Sequence, residues 1–167
     1  MRDLPTVLRP YEPADLHPLA ECWFETWHAA FAPRRHPRPR ADWPRLFAER
    51  YAEDAETWLA MADRRVAAFL VLFPDANWIE QLFVDPRFQG RGLGRSLIAL
   101  ARLRCPSGLA LDTPAENTPA REFYRRRGFV AQQVGYDPVI QRVTLRYAWS
   151  GRAALAAGPV RHGRHEQ

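Results

Sequence analysis

Three glycines stand at alternate positions, Gly90, Gly92 and Gly94, in the stretch FVDPRFQGRGLGRSLIALAR that runs from residue 83 to 102. A short apolar run precedes them. A helical repeat follows, with Leu93, Leu97, Leu100 and Ala101 on one face. Strand, glycine loop and helix in this order leave a chain few options. The first amides of a helix have no internal partners and carry the positive end of its dipole. Glycine places no Cβ over them, so the loop is either a tight turn or a row of bare N–H groups facing an anion.

The flanking segments place this unit in a mixed α/β domain. TVLRP reads as a first strand. Leu16, Leu19, Ala20, Trp23, Phe24 and Trp27 recur at helical spacing between Pro13 and Phe31. APRRHPRPRA breaks the periodicity, because three prolines in ten residues forbid a regular helix. Asp42 can then cap a second helix through Ala52, with Pro44 tolerated in its first turn. TWLAMADRRVAAFLVLF reads as two strands around a turn at Asp63 and Arg64, and NWIEQLFV as another. GLALDT is a short apolar strand. Pro119 opens a helix that runs through Arg127 and ends at Gly128. FVAQQVGY and RVTLRYAWS alternate as late, antiparallel strands. The expected sheet has six or seven strands. At 167 residues the chain suits one domain over 1–150, burying about two-thirds of its unfolded surface, with residues 151–167 as a flexible tail.

Composition removes several functions. All 24 positive charges are arginine, so lysine Schiff-base chemistry and the lysine of a phosphate-gripping P-loop are absent. Cys22 and Cys105 form neither a disulfide scaffold nor a CxxC metal site. The longest apolar run, VAAFLVLF, is far short of a membrane span. The start MRDLPTVLRP lacks a signal-type apolar core, which makes the cytoplasm the expected location. Three serines, none in a G-x-S-x-G setting, give no support to a serine hydrolase. Cys22, on the apolar side of the first helix, reads as core rather than nucleophile. A net charge of +5 suits an anionic partner, whether nucleic acid or a phosphorylated small molecule.

A dinucleotide fingerprint starting at Gly90 and Gly92 needs a small residue where Arg95 stands. Gln89-Gly90-Arg91-Gly92-Leu93-Gly94 instead matches the Q/R-x-x-G-x-G/A pattern of the GNAT superfamily of N-acetyltransferases. ENTPAREFYRRRGF, residues 116–129, resembles the second motif of that family, with Asn117, Ala120, Phe123, Tyr124, Gly128 and Phe129 in place. The likeness extends over residues 5 to 149.

The resemblance implies transfer of an acetyl group from acetyl-CoA to an amine, with acetyl-CoA as cosubstrate and no metal. It implies a mostly antiparallel sheet with about four flanking helices, splayed between strands four and five so that the pantetheine arm lies like a missing strand. On that basis Leu82, Phe83 and Val84 offer backbone hydrogen bonds to the arm. Gln89, Gly90, Arg91, Gly92, Leu93, Gly94 and Arg95 wrap the pyrophosphate, the two arginines adding charge-assisted contacts. Asn117 touches the pantetheine from the opposite wall. Tyr124 matches the family tyrosine that protonates the departing sulfur.

An amine of pKa ~10 is mostly charged at neutral pH, so a base or a water relay is useful. Two carboxylates compete for that role. Glu80 alternates with Leu82 and Val84 and is expected on their face of the strand, acting through water. Asp112, five residues before Asn117, matches the place where other members carry their base.

The acceptor side of this family varies most. Here it holds Trp23, Trp27, Phe31 and Trp43 beside Glu21, Glu25 and Asp42, aromatic faces and carboxylates that would suit a cationic amine. RRHPRPR, residues 34–40, has no interleaved aromatics and reads as a solvated loop over the acceptor cleft rather than a nucleic-acid patch. His162 and His165 could catch a metal, but a tail supplies no supporting shell. The expected partners are therefore acetyl-CoA and an amine, in a monomer or homodimer, without membrane or nucleic acid. The alternative to an enzyme is an acyl-CoA sensor or interaction module, which would need the glycine loop but neither Tyr124 nor Glu80.

Overall fold

The strand, glycine loop and helix sit at the centre of a seven-stranded sheet. The computed structural model describes residues 6–51 and 53–151. Strand β1 (Val7–Pro10) leads through a 3-10 turn at Pro13–Asp15 into helix α1 (Leu16–Ala30). A second 3-10 turn, Arg40–Asp42, precedes α2 (Trp43–Tyr51). Strands β2 (Glu56–Ala62), β3 (Arg65–Phe73) and β4 (Trp78–Val84) form a meander. Helix α3 (Leu93–Arg104), strand β5 (Leu109–Pro114), helix α4 (Thr118–Arg125) and strands β6 (Val130–Asp137) and β7 (Arg142–Trp149) complete the order. The β2–β3 connection is a two-residue turn with positive φ at Asp63 and Arg64 (50° and 62°), the twist that suits a tight hairpin.

The spatial order is β1-β2-β3-β4-β5-β7-β6. Every pairing is antiparallel except β4–β5, which is parallel and registers at one position, Trp78 with Ala110. Beyond that point the two strands splay apart. The expected mixed sheet, split between strands four and five and flanked by four helices, is what the chain forms.

Helices cover both faces. Leu93, Leu97, Ile98 and Ala101 of α3 and Tyr124 of α4 pack in one core. Leu19 and Trp23 of α1, with Trp43, Phe47 and Tyr51 of α2, build the other. Strand β3 lies between them: Leu70 and Leu72 enter the first core, Phe69 and Val71 the second. Its near-continuous apolar run follows from burial on both sides, each such side chain contributing about 1.5–3 kcal/mol.

Some boundaries differ from the sequence expectation. Regular α1 begins at Leu16 because the Asp15 carboxylate accepts the Glu12 N–H (2.8 Å) and two Arg9 bonds of 2.7 Å, holding a 3-10 turn ahead of it. Helix α4 stops at Arg125, two residues early. There Gly128 adopts φ 76° and the Phe129 N–H reaches back to the Tyr124 carbonyl at 3.1 Å. Ala52 and residues 152–167, with His162 and His165, lie outside the described residues.

Candidate active site

One edge of β4 is taken by β3, through Leu70–Leu82, Phe69–Phe83 and Ala68–Val84. The other edge faces the splay. A cavity of about 310 Å³ opens there, reaching from α1 and α2 across β4 and β5 to α4. Tyr124, Glu80, Asp112, Leu82, Phe83 and Asn117 all line it. Val84 and residues 89–95 do not; they form the segment that continues from the end of β4.

That segment shows what the backbone and the packing ask of the three glycines. Gly90 and Gly92 have φ of 77° and 83°, a left-handed backbone that costs other residues about 1–2 kcal/mol. Gly92 is the N-cap of α3. Among the described residues, no protein acceptor takes the amides of Gly90, Gly92, Leu93, Gly94 or Arg95. Gly94 serves packing instead: a Cβ there would sit 2.9 and 3.0 Å from the Phe123 ring of α4. Two glycines bare the amides and the third lets two helices touch. The side chain of Leu93 is buried in the core, so it can offer a ligand only backbone. Arg91 stacks over Phe88 at 5.1 Å, and the Arg95 guanidinium lies beside Gly92. The Gln89 amide donates to the Val84 carbonyl at 3.1 Å and ties the loop to the strand. Glycine amides, two arginines and an unpaired strand edge form a fitting seat for a phosphorylated ligand with an amide-bearing arm.

Across the gap, Asn117 caps α4, its Oδ1 accepting the Ala120 N–H at 3.3 Å. Tyr124 is 6% exposed and packs against Phe123, Phe129 and Tyr147. Burial lifts its hydroxyl pKa well above the ordinary phenol value, Arg127 opposing, so it remains protonated at neutral pH. No described residue hydrogen-bonds that hydroxyl.

The two carboxylates differ in their surroundings. The expected alternation of Glu80 with Leu82 and Val84 fails, because a bulge in the β3–β4 register pairs Val71 with Gln81 and Leu72 with Ile79, leaving Glu80 without a partner. Leu82 and Val84 pack toward the α3–α4 core. Glu80 instead accepts the Tyr51 hydroxyl at 3.4 Å and the Trp78 indole N–H at 2.9 Å. Asp112 is held at both oxygens by Arg146 (2.9 and 3.0 Å), its cross-strand neighbour on β7. Arg146 also lies 4.9 Å over the Trp78 ring. The pair raises the Arg146 pKa, first through the Asp112 hydrogen bonds. The oxygens of Asp112 are thus committed to a guanidinium, whereas those of Glu80 meet only neutral donors.

At the far end, Trp23, Trp27, Phe31 and Trp43 line the cavity as expected, with His36 and Arg38 of the 34–40 loop above them. His36 stands edge-on between Trp27 and Trp43, 5.0 Å from each. The expected carboxylates are elsewhere. Arg40 binds Glu21 (3.0 Å) and Glu25 (2.8 Å) away from this cavity, and Asp42 lies 3.6 Å from Arg45. Cys22 is buried, its thiol pushed up to about 12 by desolvation, which makes it core rather than nucleophile. The Trp23 indole N–H is buried without an acceptor, an unmet donor that costs about 1–3 kcal/mol. Sequence reasoning missed Tyr51, Trp78 and Arg50. None sits in a motif, and the bulge that turns Glu80 toward Tyr51 leaves no mark in the residue pattern.

A sequence model of the acetyltransferase (GNAT) family matches residues 17–129. The peptidyl-lysine N-acetyltransferase YiaC of Escherichia coli is 26% identical over 145 residues, spanning 86% of this chain and 96% of that protein. Among solved structures, a GCN5-related N-acetyltransferase from Rhodopseudomonas palustris superposes with a TM-score of 0.67 at 24% identity, covering 90% of this chain and 98% of its own. The PaiA N-acetyltransferase of Thermoplasma acidophilum, solved in complex with coenzyme A, gives 0.67 at 18% identity over 87% of this chain and all of its own. These structural likenesses speak to the fold.

Proposed function

Because the chain belongs to the GNAT family of acetyltransferases, we propose that it transfers the acetyl group of acetyl-CoA to the primary amine of a small molecule or peptide, by direct attack with both substrates bound. The observation that carries this reading is one cavity, at an unpaired strand edge, lined by both a protonated buried tyrosine and a carboxylate held by neutral donors.

Bound acetyl-CoA supplies a reactive thioester, so no covalent enzyme intermediate is needed. The chain's own groups bind, orient and move protons. The amides of residues 90–95, with Arg91 and Arg95, hold the phosphates; the free edge of β4 at Leu82, Phe83 and Val84 aligns the arm, with Asn117 facing it. Glu80 takes a proton from the incoming ammonium, directly or through water. The Tyr124 hydroxyl gives its proton to the departing sulfur and recovers one from solvent. Asp112, locked by Arg146, serves as a strut.

Calorimetry with acetyl-CoA, followed by thiol release with a panel of amines, tests the proposal. Binding followed by amine-dependent release supports it. Tight binding with no release from any amine would instead favour a non-catalytic acyl-CoA sensor.

A further inference from the structure

Of the three carboxylates that line the cavity among the described residues, Asp112 is bound by Arg146 and Asp137 accepts the Val139 and Ile140 amides, which leaves Glu80, with neutral donors, beside two arginines. Arg38 and Arg50 line the cavity, and among the described residues neither forms an ion pair with a carboxylate. Both act on His36 in the same wall. Burial, the largest cause, lowers the His36 pKa, and His28, Arg38 and Arg50 press it down further. Trp23, 4% exposed, brings an indole N–H that is buried with no acceptor. Glu21 and Glu25 are engaged by Arg40 outside this cavity.

Groups of opposite sign share this wall. Tyr51 donates to Glu80 at 3.4 Å and accepts from the Gln81 side-chain amide at 3.1 Å, and Arg50, its neighbour in the chain, lines the same cavity as Glu80, so one small zwitterion has a carboxylate and a cation to meet. The 34–40 loop contributes His36 and Arg38 to the cavity wall. Arg34 reaches Glu116, beyond β5, at 3.8 Å, and the Trp43 indole N–H donates to the Arg38 carbonyl at 3.4 Å.

We infer that the acceptor is an α-amino acid with an apolar or aromatic side chain: its amine meets Glu80, its carboxylate meets Arg50 and Arg38, and its side chain packs among Trp23, Trp27 and Trp43. The inference rests on the acetyl-transfer reading above and names its substrate class. The N–C bond forms as the C–S bond breaks. The ammonium loses two protons, through Glu80 and to solvent, Tyr124 gives one to the sulfur and regains one from solvent, and one proton is released overall.

The test compares thiol release from matched pairs, phenylalanine with phenethylamine, tryptophan with tryptamine, and leucine with isopentylamine, alongside a lysine-containing peptide. At least one acid should exceed its decarboxylated partner in kcat/KM by about tenfold or more. Arg50→Gln should collapse that ratio to within about twofold, mainly through KM of the acid, and Arg50→Lys should restore part of it. Amines or the peptide outperforming every acid would overturn the inference while leaving acetyl transfer intact. So would an Arg50→Gln loss that falls equally on acids and amines, since that marks a structural role. Acetyl-CoA binding without release from any acceptor would remove both readings.

Discussion

The glycine end and the tryptophan end of this cavity are built by opposite means. At the glycine end the chain withdraws side chains and presents main-chain groups: positive-φ glycines at 90 and 92, amides without protein acceptors among the described residues, and a strand edge that pairs with β5 only at Trp78. At the tryptophan end it crowds side chains together, and the rings of Trp23 and Trp43, 4.6 Å apart, serve at once as hydrophobic core and cavity wall. Backbone recognition suits a ligand shared by many enzymes, because it depends on geometry that few residue types allow. Side-chain recognition can change without altering the fold. One surface is thus specified by conformation and the other by identity.

Mutations can break this contrast. The largest effect is expected where the two ends meet. Tyr124→Phe keeps the ring and its packing and deletes only the proton, so turnover should drop by about 10²-fold or more with acetyl-CoA affinity unchanged. Retained turnover in stopped-flow or steady-state assays would make Tyr124 a packing residue. Next comes the glycine pair with unequal tasks. Gly92→Val forces a β-branched residue to positive φ and should weaken acetyl-CoA binding by more than about tenfold in calorimetry. Gly94→Ala meets the Phe123 ring instead. It should cost about 1 kcal/mol of stability, read as a lower Tm, as overpacking outweighs the gain in helix propensity.

A smaller effect separates the carboxylates. A base acting on the ammonium gives the rate profile an acidic limb. Glu80→Gln should lower that limb selectively, and Asp112→Asn should change it less, because Asp112 is already engaged by Arg146. A normal Glu80→Gln profile beside a crippled Asp112→Asn enzyme would reverse the roles, and two normal profiles would leave water as the base.

The smallest effect concerns how the tryptophan end is anchored. The Arg9 hydrogen bonds, ahead of the opposing burial, hold the Asp15 carboxyl below its ordinary pKa. A folded-state value below the unfolded one means that this stabilisation is complete above the unfolded pKa and disappears as pH falls through the folded one. Asp15→Asn should therefore lower stability by about 1 kcal/mol at pH 7, and the gap to the parent protein should close below about pH 4. A gap of constant size from pH 7 to pH 3 in thermal melts would assign Asp15 a purely steric role.

The same contrast decides what a reader of the bare sequence can see. The splay of the sheet was implied only by the family resemblance, whereas the helices and the hairpin at Asp63 and Arg64 were legible because glycines, prolines and apolar periods follow from backbone requirements. So were Gly90, Gly92 and Tyr124, which lie in motifs of fixed spacing. The face of Glu80 was not, since a bulge shifts strand phase without any characteristic residue. Nor was the fate of Glu21 and Glu25. Their partner Arg40 lies 15 or more positions away, across a proline-broken loop that carries no periodic signal. Nothing in local sequence distinguishes a carboxylate that greets a substrate from one that pins a loop.

The single register contact between β4 and β5, Trp78 with Ala110, also has a mechanical meaning. The four strands β1–β4 and the trio β5–β7 resemble the arms of tongs, hydrogen-bonded to each other at one end and joined elsewhere by helix packing. A ligand that threads the gap would be a rivet as well as a reactant. Its binding free energy would add to the stability of the fold, and amide exchange would slow together along the facing edges of both strands. In the unliganded enzyme those edges would be the first part of the sheet to breathe.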